Sequence, residues 1–313
     1  MSKYRHALPQ LTSDKLFLTD GGLETDLIFH HGVDLPLFAS IILFRDEDAP
    51  KLGRDYFIEY ITTARAGAFG LVLESATWRA SPGWLKQLGL PEAEFESLNK
   101  RAIAFLADLR DEFETPETPI VISACVGPRG DGYVVENKMN IEEAEAYHAW
   151  QANLFADTEA DVITALTLNY VEEAIGISNA AKAAGMPVVI GFTVETDGRL
   201  PSGQGLGAAI EEGDSATGNL PAYYMINCAH PDHFTSTLDA GGRWVERIKG
   251  LRANAARLSH AELDEAEELD DGNPAEMGAQ YAALRKRFPE LNVLGGCCGT
   301  DHRHVAAIAE ACG

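Results

Sequence analysis

The order of short apolar runs and longer helical segments constrains the fold of this chain more than any other feature. Seven runs rich in apolar and β-branched residues read as strands: Lys15–Thr19, Gly70–Glu74, Pro119–Ala124, Asp161–Leu168, Pro187–Val194, Tyr223–Asn227 and Asn292–Leu294. Continuously apolar strands that alternate with helices are typical of a buried parallel sheet. One more strand, the seventh in order, is predicted near Val245–Leu251, where the sequence is more charged.

Helical spacing of apolar residues fills the stretches between these strands. The predicted helices are Asp55–Ala68, Glu92–Glu112, Ile141–Glu159, Val171–Ala184, Tyr281–Phe288 and His302–Ala311. About eight strand–helix units in 313 residues predict an α/β fold of the closed (β/α)8 type, a TIM barrel in one domain. A doubly wound open sheet is the alternative, but no Gly-x-Gly-x-x-Gly motif follows the first strand. The stretch Gly198–Gly218 is predicted to be a long loop and Ala261–Asp271 a solvated helical segment.

Composition excludes several classes of partner. The formal net charge is −23, from 48 acidic and 25 basic residues, and such a surface repels nucleic acid. No apolar run reaches the roughly 18 residues of a membrane-spanning helix, so no membrane is expected. The first ten residues, MSKYRHALPQ, do not resemble a signal peptide, and we expect a cytoplasmic protein.

Five cysteines argue against a disulfide scaffold, because their number is odd and their spacing unpaired, and leave metal binding, catalysis or simple burial. Cys297 and Cys298 are adjacent at the end of the last predicted strand, where a disulfide between neighbours would be strained. Cys228 follows the sixth strand. Because strand ends of a parallel barrel meet at one face, we predict a three-thiolate zinc site with an open fourth position.

Segments at five strand ends resemble the homocysteine S-methyltransferase family. They are DGGLET at 20–25, SACVGPRG at 123–130, ADVITALTLNYVEEA at 160–174, INCAHP at 226–231 and GGCCGT at 295–300. The resemblance implies a homocysteine-binding-type barrel domain over residues 1–313, with zinc on Cys228, Cys297 and Cys298 as the catalytic residues. It further implies methyl transfer from a sulfonium donor, S-methylmethionine or S-adenosylmethionine, to a thiol, with homocysteine giving methionine.

The resemblance also implies substrate-binding residues. Asp20 matches the acid that holds the amino group of homocysteine, while Gly21 and Gly22 let the backbone approach the ligand. Trp78 is placed to face a cationic donor through its ring. The remaining predicted substrate-binding residues are Glu74, Thr167 and Asn227.

Two positions depart from the family pattern. Leu166 stands where the family carries a glutamate that contacts the substrate amino group, and an apolar side chain cannot pair with an ammonium. Either another acid substitutes, Glu74 before Glu24 or Glu195, or the enzyme acts on a different thiol or methylated compound. Arg79 occupies the place of a tyrosine found in betaine-using members, which favours a sulfonium donor.

Two further readings of the cysteines stay open on sequence alone. The vicinal pair could carry thiol redox chemistry, which would not need Cys228, or zinc could stabilise a binding protein without turnover. The expected partners are a small-molecule thiol and a methyl donor, with a homo-oligomer possible.

Overall fold

The computed structural model describes residues 2–45 and 50–313, and within them eight parallel strands close into a barrel in chain order. Strand β1 pairs with both β2 and β8. The strands are β1 Phe17–Thr19, β2 Gly70–Glu74, β3 Ile120–Val126, β4 Val162–Leu168, β5 Val188–Phe192, β6 Tyr223–Asn227, β7 Ile248–Ala253 and β8 Val293–Gly296. The predicted single-domain (β/α)8 barrel is confirmed, and the open sheet is wrong.

A long helix follows each strand in the described part of the chain. These helices are α1 Pro50–Ala66, α2 Glu92–Phe113, α3 Ile141–Ala156, α4 Val171–Ala183, α5 Leu206–Thr217, α6 Pro231–Asp239, α7 Pro274–Arg287 and α8 His302–Cys312. Side chains fix some of the helix starts: the Asn140 side chain accepts a hydrogen bond from the Glu143 backbone, and the Glu143 carboxylate accepts one from the Asn140 backbone. None of the helices among the described residues is long and apolar enough to cross a membrane.

The apolar runs are continuous because the strands are buried on both faces. Alternate side chains such as Leu18 and Ile122 pack outward against the helices. Their neighbours, among them Phe17 and Tyr223, fill the barrel interior. Burying a large apolar side chain stabilises the fold by about 1.5–3 kcal/mol. Because side chains fill the interior, it is a packed core and not a channel. A cavity remains at the mouth, where the strands end.

Strand β7 lies later in the sequence than predicted. Arg243–Arg247 form a 3₁₀ turn, and the strand then runs to Ala253 instead of ending at Leu251. The prediction followed apolar residues, but Arg252 is held inside the barrel end by a buried acid. The shift places Arg252 beside the cavity.

Two predicted segments have a different structure. The stretch 198–218 contains α5. Gly207 and Gly213 lie within this helix, where the absence of a side chain leaves room for Trp244 and Tyr224. These glycines serve packing, whereas the sequence suggested a loop. The stretch 261–271 is mostly exposed, as predicted, but it is helical only as far as Asp264. Ala266, Glu268, Leu269 and Asp270 line the cavity mouth.

Candidate functional site

A cavity of about 490 Å³ opens at the carboxyl ends of the strands. The predicted zinc ligands and substrate-binding residues all line it: Asp20, Gly21, Gly22, Glu74, Trp78, Thr167, Asn227, Cys228, Cys297 and Cys298. Of the two other candidate acids, Glu24 lines it and Glu195 does not. The closed barrel explains this convergence, because it brings all the strand ends to one face. The individual roles of these residues stay predictions.

The sulfur cluster consists of the Sγ atoms of Cys228, Cys297 and Cys298, which lie within 4.8 Å of one another. The Sγ of Cys228 is 3.2 Å from that of Cys297 and 3.6 Å from that of Cys298. Four ligands around zinc at about 2.3 Å place sulfurs about 3.8 Å apart, so the cluster needs only a small expansion to hold the ion. No other group of His, Cys, Asp and Glu in the described chain could hold a metal in this way.

The backbone conformation positions the three sulfurs. Cys228 has a left-handed φ of +57°, which non-glycine residues adopt at a cost of about 1 kcal/mol. Hydrogen bonds hold it there, since its amide donates to Arg252 O at 3.0 Å and its carbonyl accepts from Thr193 Oγ1 at 3.1 Å. A Cβ on Gly296 would lie 2.0 Å from Thr300 Oγ1, so the turn before the cysteine pair requires glycine there.

The electrostatics of the cluster favour a bound cation. Hydrogen bonds with the Cys228 and Cys298 thiols lower the pKa of Cys297 well below its usual value, and the Arg252 charge adds to this. The hydrogen bond with Cys297 raises the pKa of Cys228, and hydrogen bonds with Cys228 and Cys297 raise the pKa of Cys298. The three thiols therefore share one negative charge readily, and a bound metal ion would displace the remaining thiol protons.

An aromatic side chain that the sequence did not reveal lies against the cluster. The Tyr133 hydroxyl is 3.1 Å from the Cys228 Sγ and 3.8 Å from the Cys298 Sγ. Its ring stacks on His260 at 4.0 Å, and His260 Nδ1 is 2.9 Å from a Glu195 oxygen. Tyr133 lies in the irregular loop between β3 and α3, where no periodicity marks it, and Glu195 is already engaged by His260.

Asp20 is already paired in this chain. Arg252 Nη1 donates to Asp20 Oδ1 at 2.6 Å and the Tyr56 hydroxyl donates to Oδ2 at 3.1 Å, with Asp20 and Arg252 both buried. A second nitrogen, Nη2, donates to Gly21 O at 3.0 Å. Burial raises the pKa of Asp20, and the Arg252 charge opposes that rise. The acid predicted to bind an ammonium therefore has an internal cation as its partner.

Glu74, by contrast, has a free oxygen. The residue is buried, and within the described residues its Oε2 has no hydrogen-bond partner. Burial raises the pKa of Glu74 to about 7, while the charge of Arg252 and the hydroxyl of Ser123 oppose the rise. Leu166 also lines the cavity, and its backbone carbonyl accepts from Trp78 Nε1 at 3.1 Å.

Asn227 and Thr167 bind each other across the cavity wall. Asn227 Nδ2 donates to Thr167 Oγ1 at 2.8 Å, and the Thr167 amide donates to Asn227 Oδ1 at 2.9 Å. Thr167 has a left-handed φ of +62°, so this pair fixes the turn that ends β4. Both residues shape the wall through these contacts.

The rim of the cavity is acidic. Asp131, Asp264, Glu268 and Asp270 line it, together with the Trp78 ring. The Arg79 guanidinium lies 4.8 Å from the centre of that ring and 3.4 Å from Asp131 Oδ2, so the ring already has one cation beside it. A mouth of this charge attracts cationic ligands.

Sequence comparison gives the family. The homocysteine S-methyltransferase model matches residues 17–312. The chain belongs to this family. As a homocysteine S-methyltransferase family member it is a methyltransferase enzyme, and the cavity at the barrel mouth is its candidate active site.

Relatives and a solved structure agree with this assignment to the homocysteine S-methyltransferase family. The chain is 25% identical to homocysteine S-methyltransferase YbgG of Bacillus subtilis, over 94% of this chain and 93% of that protein. It is 24% identical to homocysteine S-methyltransferase 4 of Zea mays, over 94% and 88%. The metallated form of the homocysteine methyltransferase MmuM of Escherichia coli has the same fold, with a TM-score of 0.73 at 20% identity over 95% and 96% of the two chains.

Proposed function

We propose that this enzyme moves a methyl group from a sulfonium donor, S-methylmethionine or S-adenosylmethionine, to a thiol acceptor, homocysteine, to give methionine. The observation that carries the proposal is the sulfur cluster at the mouth of a barrel of this family. Cys228, Cys297 and Cys298 would hold zinc and leave its fourth position to the acceptor sulfur. Bound zinc would keep that sulfur as a thiolate at neutral pH, where a free thiol is mostly protonated.

The soft thiolate donor set supports zinc, because three sulfurs favour this ion over hard cations such as magnesium. The metallated form of MmuM, which has the same fold, supports a metal-dependent family member as well. Cys228 is fixed by its backbone contacts, so the site is formed before a ligand arrives.

Methyl transfer then requires the protein to align the acceptor sulfur, the methyl group and the donor sulfur, and it requires no covalent intermediate with the protein. The acceptor sulfur forms a bond to the methyl carbon while the bond from that carbon to the donor sulfonium breaks. The donor leaves as a neutral thioether, and the thiol proton has already been released on binding. The acidic rim, with Asp131 and Glu268, favours the cationic donor over its neutral product.

The acceptor head group must be held without the family glutamate, because Leu166 occupies that place. Glu74 is the acid we assign to the ammonium, since its Oε2 is buried and free. Because Leu166 cannot pair with an ammonium, the alternative is that the enzyme acts on a different thiol or methylated compound. A cytoplasmic location, a homo-oligomeric assembly and a domain spanning residues 1–313 stay predictions from the sequence.

A matrix of donors and thiols, incubated with zinc-loaded protein and followed by product mass, tests the proposal. We expect methionine from homocysteine with a sulfonium donor and little with betaine. Absence of product with every sulfonium donor, or full activity after thorough metal removal, would contradict it. Thiol redox chemistry by the vicinal pair predicts instead that Cys228→Ala remains active.

A further inference from the structure

Two buried groups on the cavity wall lack hydrogen-bond partners, and they are of opposite kinds. Glu74 Oε2 is an acceptor and Arg252 Nε is a donor, and neither is bonded to any described residue. Their residues are 5% and 4% exposed, and both line the cavity. Buried polar groups are nearly always bonded in folded proteins, so this pair calls for a partner that the described residues do not supply.

The two groups are near each other but are not joined. Both residues lie near the carboxyl ends of their strands and line the same cavity, yet no ion pair joins them. Arg252 is held through its other nitrogens, Nη1 on Asp20 and Nη2 on Gly21 O. The guanidinium is thus fixed in place with its Nε–H left over.

We propose that Glu74 and Arg252 bind the zwitterionic head group of the acceptor, the α-ammonium on Glu74 Oε2 and the α-carboxylate on Arg252 Nε. Asp20 in this arrangement is a positioning residue for Arg252 and does not contact the ammonium. The inference deepens the proposed function and rests on it. It makes Arg252 a specificity-determining residue of the site.

The charges of the three residues support this assignment. Asp20 and Arg252 neutralise each other, and both Asp20 oxygens are taken, one by Arg252 and one by Tyr56. An ionised Glu74 then leaves one negative charge, which an ammonium balances. A thiol with a carboxylate alone would add a second negative charge there, and one with an ammonium alone would leave Arg252 Nε unbonded.

Binding of three thiols to zinc-loaded protein, measured by calorimetry without a donor, tests the inference. The thiols are homocysteine, 3-aminopropanethiol, which lacks the carboxylate, and 4-mercaptobutanoate, which lacks the ammonium. In the unmodified protein we expect homocysteine to bind most tightly and 4-mercaptobutanoate most weakly.

Variants assign each half of the head group. Glu74→Gln should weaken the two ammonium-bearing thiols about tenfold or more, because a charge-assisted hydrogen bond is lost. It should not weaken 4-mercaptobutanoate, because the repulsion between Glu74 and its carboxylate is removed. Arg252→Lys should weaken the two carboxylate-bearing thiols and spare 3-aminopropanethiol. Asp20→Asn removes the partner that positions Arg252, so it should weaken the two carboxylate-bearing thiols more than 3-aminopropanethiol.

Glu24→Gln is the matched control. Glu24 is another carboxylate on the cavity wall, but its Oε1 accepts from Ser40 Oγ at 2.7 Å, so this variant should leave the ratios among the three thiols unchanged. Zinc content and the circular dichroism spectrum establish that each variant is folded. If Arg252→Lys does not fold, the ranking in the unmodified protein together with Glu74→Gln and Asp20→Asn decides.

Equal weakening of all three thiols by Glu74→Gln would overturn the inference, as would selective loss of the ammonium-bearing thiols in Asp20→Asn. Failure of the proposed function looks different. In that case no thiol binds the zinc-loaded protein, or the thiols bind with the expected pattern and no sulfonium donor yields product.

Discussion

The sulfur cluster and the charged floor of the cavity, formed by Asp20, Glu74 and Arg252, are held in place in different ways. Backbone turns fix the three cysteines, through the left-handed Cys228 and the glycines around the pair. Side-chain contacts fix the floor, where Arg252 bonds to Asp20 and Gly21. Closure of the barrel brings both sets together, the cluster from the ends of β6 and β8 and the floor from β2, β7 and the end of β1. They differ because backbone conformation positions the sulfurs, whereas side-chain pairing positions the floor groups.

The largest effect should come from removing a member of the sulfur cluster. In Cys228→Ala we expect zinc to fall from about one per chain to near zero. We also expect methyl transfer to fall by more than the roughly 100-fold that loss of a mere supporting contact causes. Metal analysis of purified protein and turnover assays measure both. Cys312→Ala, in α8, should keep its zinc, and retained zinc in Cys228→Ala would break the distinction between the two parts of the cavity.

Arg252→Met tests how much the charged floor contributes to the free energy of unfolding. The change leaves the Asp20 carboxylate buried and unpaired, which should lower the free energy of unfolding by about 3–5 kcal/mol. Urea unfolding of the metal-free protein measures it. Adding Asp20→Asn should restore part of the loss, and a single variant as stable as the parent would show that the pair does not stabilise the fold.

The pH dependence of stability should carry a contribution from Glu74. Its pKa rises from 4.5 to about 7 on burial, so between these values the folded state binds more protons than the unfolded state. The free energy of unfolding should therefore fall as pH rises through that window, by roughly 3 kcal/mol in total, and level off above it. Urea unfolding from pH 5 to 8 should show this fall diminished in Glu74→Gln. Parallel curves for the two proteins would contradict the prediction.

The smallest effect concerns the contact between the cluster and Tyr133. Tyr133→Phe removes the hydroxyl 3.1 Å from the Cys228 Sγ while keeping the ring on His260. Loss of one hydrogen bond of about 1 kcal/mol should shift zinc affinity by less than tenfold. Competition with a chelator measures the shift. A shift of 100-fold or more would mean that Tyr133 belongs to the cluster as fully as the cysteines do.

Much of the architecture could be predicted, and the misses have physical causes. The bounds of β2 and β6 agree with the prediction residue for residue, because each apolar run ends at a polar residue, Glu74 and Asn227. Strand β7 was misplaced because Arg252, a charged residue in a buried strand, breaks the apolar pattern that marks a strand. Its charge is tolerated only because Asp20 lies opposite it across the barrel end.

By itself the sequence determined the alternation of strands and helices, and hence the barrel. It also marked cysteines at the ends of two strands, β6 and β8, because each strand end depends on residues close together in the chain. Only the tertiary structure decided how the charges pair. It gave Asp20 to Arg252, left Glu74 and the Arg252 Nε free, and brought Tyr133 against the sulfurs. Such pairings join residues far apart in the chain, and closure of the barrel sets the distances between them.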